Sequence, residues 1–140
     1  MVAAPKFDQV KVGDALKPIV LPPISRHQLA LYCGGSGDHN PIHVDLDFAK
    51  KFGFKDVFAH GMLSMAYLAR LLTGWVSQER IRTFGVRFTA ITPVHGRPTC
   101  TGTVASIDEV DGERLATLAL RVTLADGTTT LLGDATVALD

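Results

Sequence analysis

Residues 61–74 read GMLSMAYLARLLTG, and this stretch decides the fold. It starts a helix at Gly61 or Met62 that runs to about Thr73, with Gly74 as C-cap. Met62, Leu63, Met65, Ala66, Tyr67, Leu68, Ala69, Leu71 and Leu72 fall on every side of its axis. A helix apolar all round has to be wrapped by other structure. The wrapping follows from Ile81 to Leu139, which reads as strands. Val86, Phe88 and Ala90 alternate with Arg87 and Thr89. Ala116, Leu118, Leu120, Val122 and Leu124 alternate with Thr117, Ala119, Arg121 and Thr123. Period two marks strands with one buried face. Asp111-Gly112 and Asp126-Gly127 are hairpin signals, and hairpins join antiparallel neighbours. The pattern predicts an α+β domain, a central buried helix wrapped by a curved antiparallel sheet. Such a sheet leaves edge strands, which pairing between two subunits would cover, so a dimer is expected.

Upstream, a short strand is expected near Ala15 to Leu21. Ser25 caps a helix in a capping box with Gln28, and Gly34-Gly35 ends it. A second short helix spans Asp45 to Phe52, with Gly53 as its stop. No repeat or low-complexity linker divides the 140 residues, which read as one domain, 1–140. Apolar residues make up 46% and charged residues 20%, a globular balance that excludes a disordered chain. Fourteen basic residues offset fourteen acidic ones. With no basic surplus for counterion release, nucleic acid is not an expected partner. Cys33 and Cys100 have no paired spacing, so neither a disulfide framework nor a thiolate zinc site is expected. The leading MVAAPKFDQVKVGD lacks an apolar run after its charge and is expected to be no signal peptide. Met62 to Leu72 is too short to span a bilayer and carries Ser64 and Arg70. The expectation is a cytoplasmic protein with no membrane segment.

The chemistry concentrates in Tyr32 to Ala49, YCGGSGDHNPIHVDLDFA. His43 follows Asp38 by five positions. On a helix that spacing is about 500° of rotation, and on a strand it means opposite faces. Pro41 excludes a regular helix and pushes Asn40 toward an extended conformation. A turned loop can instead bring carboxylate and imidazole to one point, an acid/base pair able to hold a water between them. The bland alternative is a turn built by Asp38, Asn40 and Pro41 with His43 packed on it. A second element weighs against that alternative. In Ala59-His60-Gly61-Met62, the Gly61 N–H stands at the start of the buried helix with no intrahelical partner. It faces along the positive end of the helix dipole and suits a carbonyl oxygen gaining negative charge.

These residues resemble the hydratase-2 signature of the MaoC-like family of (R)-specific enoyl thioester hydratases and dehydratases. The signature reads here as Tyr32, then Gly37-Asp38-His39-Asn40-Pro41-Ile42-His43, then Ala49 after five residues. Ala59 to Met62, and Val86-Arg87-Phe88 ahead of Pro93-Val94, fit the same family, and the resemblance covers nearly the whole chain. It is nearest to short members such as dehydratase subunits of fatty-acid elongation systems. The resemblance implies a hot-dog fold and reversible syn addition of water to a trans-2-enoyl thioester, giving the (R)-3-hydroxyacyl product. It implies that Asp38 and His43 activate the water, that Asn40 orients the pair, and that the Gly61 N–H holds the thioester oxygen. Ser36, Ser64 and His60 are candidates for contact with substrate or support of the pair. The substrate is carried on coenzyme A or an acyl carrier protein, and neither cofactor nor metal is implied.

The sequence departs from the family where Gly-Asp commonly follows the Pro-Val; here it is His95-Gly96-Arg97. Arg97 is read as a solvated strand-end residue rather than a contact for a carrier phosphate, and His39 as facing solvent. His39 and His43 have a zinc-helix spacing, which Pro41 forbids. Cys33 is read as an inert thiol, Lys50, Lys51 and Lys55 as a solvated face, and Trp75 as packing behind the central helix. Phe54, Phe58, Met65 and Tyr67 are candidate pocket residues. Two further readings stand beside the hydratase. One is a non-catalytic hot-dog subunit of a heteromeric dehydratase, which would not need the Asp38/His43 pair. The other is a hot-dog thioesterase, which would need a carboxylate at the thioester carbonyl.

Overall fold

A computed structural model describes residues 5–140. The first four residues of the leading stretch, read above as no signal peptide, lie outside the described residues. Strand β1 (Ile19–Val20) precedes three helices, α1 (Arg26–Ser36), α2 (Leu46–Lys51) and α3 (Gly61–Thr73). Four long strands follow: β2 (Ile81–Phe88), β3 (Thr99–Val110), β4 (Glu113–Thr123) and β5 (Thr129–Ala138). All pairings are antiparallel, in the order β1-β3-β4-β5-β2. The β3–β4 turn is the Asp111-Gly112 dipeptide, with φ of 52° and 78°, the left-handed pair that a two-residue hairpin requires. At the β4–β5 hairpin Gly127 has φ 88° and the Asp126 carboxylate accepts from the Thr128 N–H.

The inner sheet face follows the alternation read from the sequence: Ala116, Leu118, Leu120 and Val122 are buried. Against it lies α3, which buries Leu63, Ser64, Tyr67, Leu68, Leu71 and Leu72. The close approach is set at Gly102 of β3, where a Cβ would lie 3.1 Å from Leu120 and 3.3 Å from Leu71. A helix on the concave side of a curled antiparallel sheet is the arrangement expected of a hot-dog fold. Among the described residues no helix is long and apolar enough to cross a membrane.

Five local expectations are corrected. The helix α3 is not wrapped on all sides: Met62, Ala66, Arg70 and Thr73 form an exposed stripe, because one sheet covers one face. The helix α1 runs through Gly34 and Gly35 and ends at Gly37, whose φ of 77° makes the left-handed cap; Ser25 does accept from the Gln28 N–H. The Gln28 side chain does not close a capping box but donates to the Tyr67 hydroxyl. The first strand shrinks to Ile19–Val20, with an isolated bridge at Ala15, since Pro18 offers no N–H to a ladder. In β2 the expected buried face of Val86, Phe88 and Ala90 forms only at Val86, which packs partly buried against the core. β2 is an edge strand with an irregularity between Ile81 and Thr83. Phe88 is half exposed, and Ala90 lies beyond the strand.

Candidate active site

The Asp38–His43 loop is built by short-range bonds. The Ser36 hydroxyl donates to the Tyr32 carbonyl at 2.6 Å and accepts from the Asp38 N–H at 3.1 Å, which fixes where the chain leaves α1. Asn40 takes an extended conformation ahead of Pro41 (φ −57°, ψ 119°). Its N–H donates to Asp38 Oδ1 at 3.2 Å, and its Oδ1 accepts from the Ile42 N–H, capping a single 3-10 turn over Pro41–His43. Asn40 therefore orients Asp38 through its backbone, while its side chain sets the turn that delivers His43.

That turn brings His43 Nε2 to 4.0 Å from Asp38 Oδ2. The carboxylate is half exposed and the imidazole buried. On the far side of the ring, His43 Nδ1 lies 2.7 Å from the Phe58 carbonyl oxygen. A carbonyl only accepts, so Nδ1 carries the proton and Nε2 presents its lone pair to the gap. The gap is too wide for a direct hydrogen bond. Two bonds of about 2.8 Å meeting at roughly a right angle span it, which is the room one water needs.

His60 is 1% exposed and stacks on His43, with ring centres 3.8 Å apart and planes at 25°. Burial first, and the neighbouring His43 second, hold its pKa below the ordinary 6.5. Asp38, His43 and His60 offer metal-ligand atoms within 4.8 Å of one another. Nearly parallel rings, however, direct their in-plane lone pairs side by side rather than to one ion, so the set does not fit a tetrahedral metal.

Next to His60, the Gly61 N–H opens α3 and donates to no acceptor among the described residues. It borders a cavity of about 320 Å³ lined by Phe58, Ala59, Gly61, Phe88, Ile91 and Leu131, with Thr89, Ala90 and Thr92 at its wall. The Phe88 ring lies so close to Gly61 that a Cβ there would sit 2.8 Å from Cε1.

Of the residues singled out from sequence, Asp38, Asn40, His43, His60 and Gly61 come together. Ser36 serves the end of α1. Ser64 is fully buried, with its hydroxyl 3.4 Å from that of Thr92. Phe58 lines the cavity and Phe54 packs on it, with ring centres 4.9 Å apart. Met65 and Tyr67 belong to the core instead. His39, Arg97, Lys50, Lys51 and Lys55 are exposed, and Trp75 packs half-buried against the core. Cys33 is buried, and its thiol pKa is raised by desolvation and by Asp38. Phe88 belongs to a stretch that fits the family, but the cavity wall of residues 89–92 was not legible beforehand, since it follows an edge strand and carries no motif of its own.

Comparison with known proteins bears on the family and the fold. The family model described as MaoC like domain matches residues 8–125. The chain is 31% identical over 139 residues to an (R)-specific enoyl-CoA hydratase of Rhodospirillum rubrum, covering 94% of this chain and 89% of that protein. It is 29% identical over 93 residues to 3-hydroxyacyl-thioester dehydratase Z of Mycobacterium tuberculosis, covering 62% of each. Among solved structures it is similar to the R-hydratase PhaJ1 from Pseudomonas aeruginosa. The TM-score is 0.83 at 24% identity, over 99% of this chain and 87% of that one, a likeness of fold.

Proposed function

The chain belongs to the MaoC-like domain family, and we propose that it is a hydro-lyase acting on enoyl thioesters. The reaction is reversible syn addition of water to a trans-2-enoyl thioester to give the (R)-3-hydroxyacyl thioester. The observation that carries the reading is the water-wide gap between Asp38 Oδ2 and His43 Nε2, beside an unpaired N–H at Gly61.

A water in that gap donates to Asp38 and to His43 Nε2. Nε2 takes one proton as the oxygen bonds to C3. The electron pair of the C2=C3 bond moves to the thioester, whose oxygen becomes an enolate held by the Gly61 N–H. The imidazolium then returns its proton to C2 as the enolate collapses. Both additions come from the one pair on one face, which makes them syn. General acid–base help contributes ~10²–10⁴-fold and an oxyanion donor ~10²–10³-fold. The scheme calls on no metal or organic cofactor, because the thioester itself acidifies C2. The cavity beside Gly61 takes the acyl group, and the thiol half of the substrate is coenzyme A or an acyl carrier protein.

We also propose a homodimer that pairs β2 with β2 of a second copy. Its free edge and the exposed Phe88 and Leu132 are uncovered in the single chain. Sedimentation is expected to give about 30 kDa, twice the 15.0 kDa chain; a 15.0 kDa particle at assay concentration sinks the dimer.

The test is enoyl-thioester absorbance with crotonyl-CoA and a longer trans-2-enoyl-CoA, with Asp38→Asn as control. The expected result is loss of absorbance that needs Asp38, an (R)-3-hydroxyacyl product and no free thiol. Release of free coenzyme A would replace this reading with a thioesterase.

A further inference from the structure

None of the steps above uses His60, yet it touches every part of the site. Its ring stacks on His43, and Tyr32 meets it edge-on at 4.7 Å. Its Nε2 lies 3.2 Å from the Asp38 carbonyl oxygen, with the Cys33 sulfur 3.5 Å from the same nitrogen. The carbonyl only accepts, so Nε2 carries the proton. Nδ1 is then a buried lone pair without a partner among the described residues. The His60 backbone is the N-cap of α3, one residue before the Gly61 N–H.

A buried acceptor left unpaired is disfavoured, and an apolar side chain of similar size would avoid it. What imidazole supplies together, and no apolar side chain does, is a donor for Asp38 and a flat face for His43. Both matter because of how the loop is held. The bonds of Asp38, Asn40 and Ile42 close on α1 or on the loop itself. Among the described residues, two hydrogen bonds cross from residues 38–43 to the 58–60 segment: His43 Nδ1 to the Phe58 carbonyl, and His60 Nε2 to the Asp38 carbonyl.

We propose that His60 is a positioning residue that locks the Asp38–His43 loop onto the start of α3, so that the water-holding gap and the Gly61 N–H keep one fixed relation. The proposal rests on the hydration reading above. Water bound by the pair and the thioester oxygen bound by Gly61 have to fit one substrate at once. A displacement of about 1 Å between such groups costs on the order of 10²-fold.

Three variants separate the two contacts. His60→Gln keeps a donor near Nε2 without the ring, His60→Phe keeps the face without the donor, and His60→Leu keeps neither. With crotonyl-CoA, His60→Leu is expected to lower kcat about a hundredfold with KM within about twofold, and the other two to fall between it and the parent. A kcat for His60→Leu within twofold of the parent, or a loss carried by KM, overturns the proposal. Amide hydrogen exchange on the same proteins gives a readout that needs no substrate. Exchange at Ile42 and His43 is expected to rise in His60→Leu while Leu118 and Leu120 in β4 stay protected. Equal loss of protection in the sheet would mean that His60 only fills the core, and unchanged exchange at Ile42 and His43 would mean no lock. Asp38→Asn, assayed in parallel, keeps the two ideas apart. If the parent fails to turn over, or Asp38→Asn matches it, the hydration reading fails and the exchange result alone decides His60.

Discussion

Replacing Gly61 by alanine tests the oxyanion assignment with one methyl group. The backbone N–H is retained, so the variant does not delete the donor. The added Cβ lies 2.8 Å and 2.9 Å from Phe88 Cε1 and Cδ1, where carbon atoms rest at ~3.5–4.0 Å. Something must move by roughly 0.7 Å or more. Phe88 is 50% exposed on an edge strand and is the freer partner. It lines the cavity in front of Gly61, so a displaced ring occupies space that the thioester oxygen needs to reach the N–H. Loss of one oxyanion donor costs ~2.7–4 kcal/mol, or ~10²–10³-fold in kcat.

Stability of the single chain should barely change, because alanine is the better helix former by up to ~1 kcal/mol and the displaced ring is half exposed there. A shift in Tm within roughly 3–6 °C corresponds to that magnitude. The assay is kcat and KM on crotonyl-CoA for Gly61→Ala, Phe88→Ala and the double variant, each with a thermal melt. The double variant should recover at least about tenfold over Gly61→Ala, since removing the ring removes the block. A Gly61→Ala enzyme within twofold of the parent would refute the reasoning that a group crowded in front of the Gly61 N–H blocks the thioester oxygen. A double variant no better than Gly61→Ala would refute the ring as the obstruction.

Asp38→Asn and His43→Ala are each expected to lose at least about a hundredfold in kcat with unchanged far-ultraviolet circular dichroism; near-normal turnover in either would remove that residue from the chemistry. Cys100 is fully buried and its thiol is pushed up to about 11 by desolvation. At about pH 8 it is protonated and shielded, and the buried Cys33 thiol is raised as well. A thiol titration of the native protein should show neither group promptly and both after denaturation; prompt reaction of either would contradict the packing. The pKa of His60 is lowered in the folded chain, so near pH 6.5 the unfolded chain takes up a proton that the folded chain refuses. Stability is therefore full above about 6.5 and falls as pH drops through it. Melts at about pH 7.5 and 5.5 should show a smaller fall for His60→Gln than for the parent, and equal falls would mean that His60 protonates freely when folded.

What could be read from sequence was what is decided locally. The helix from Gly61 to Thr73 follows from its composition, and the inner face of β4 from its alternation. The Asp38–His43 pair was legible because Pro41 forbids a helix and forces the turn that joins them. Gly34-Gly35 misled because glycine can also continue a helix, and α1 ends instead at Gly37, where the chain turns left-handed. Phe88 misled because alternation reports which side a residue faces and not whether anything covers it. The Phe58 carbonyl had no signal at all. Every residue carries a carbonyl, and only the path of the chain from α2 to α3 places this one against His43.

The consequence is that the reactive geometry depends on backbone as much as on side chains. The acceptor that fixes the His43 tautomer is the Phe58 carbonyl, and Gly61, whose N–H has no acceptor among the described residues, lines the cavity. They are three residues apart on a segment pinned by the Ala59 N–H to the Thr92 carbonyl at 2.9 Å. The proposed base and the proposed oxyanion donor are thus held by one stretch of chain. The side chains of that stretch and of the facing loop, Phe58, Phe88 and Ile91, form the cavity wall. Changing those side chains reshapes the space for the acyl group without touching the two backbone contacts. One scaffold can keep the proposed water-adding chemistry while the acyl group it would admit varies, and that is why the pair is legible in the sequence and the chain length of the proposed substrate is not.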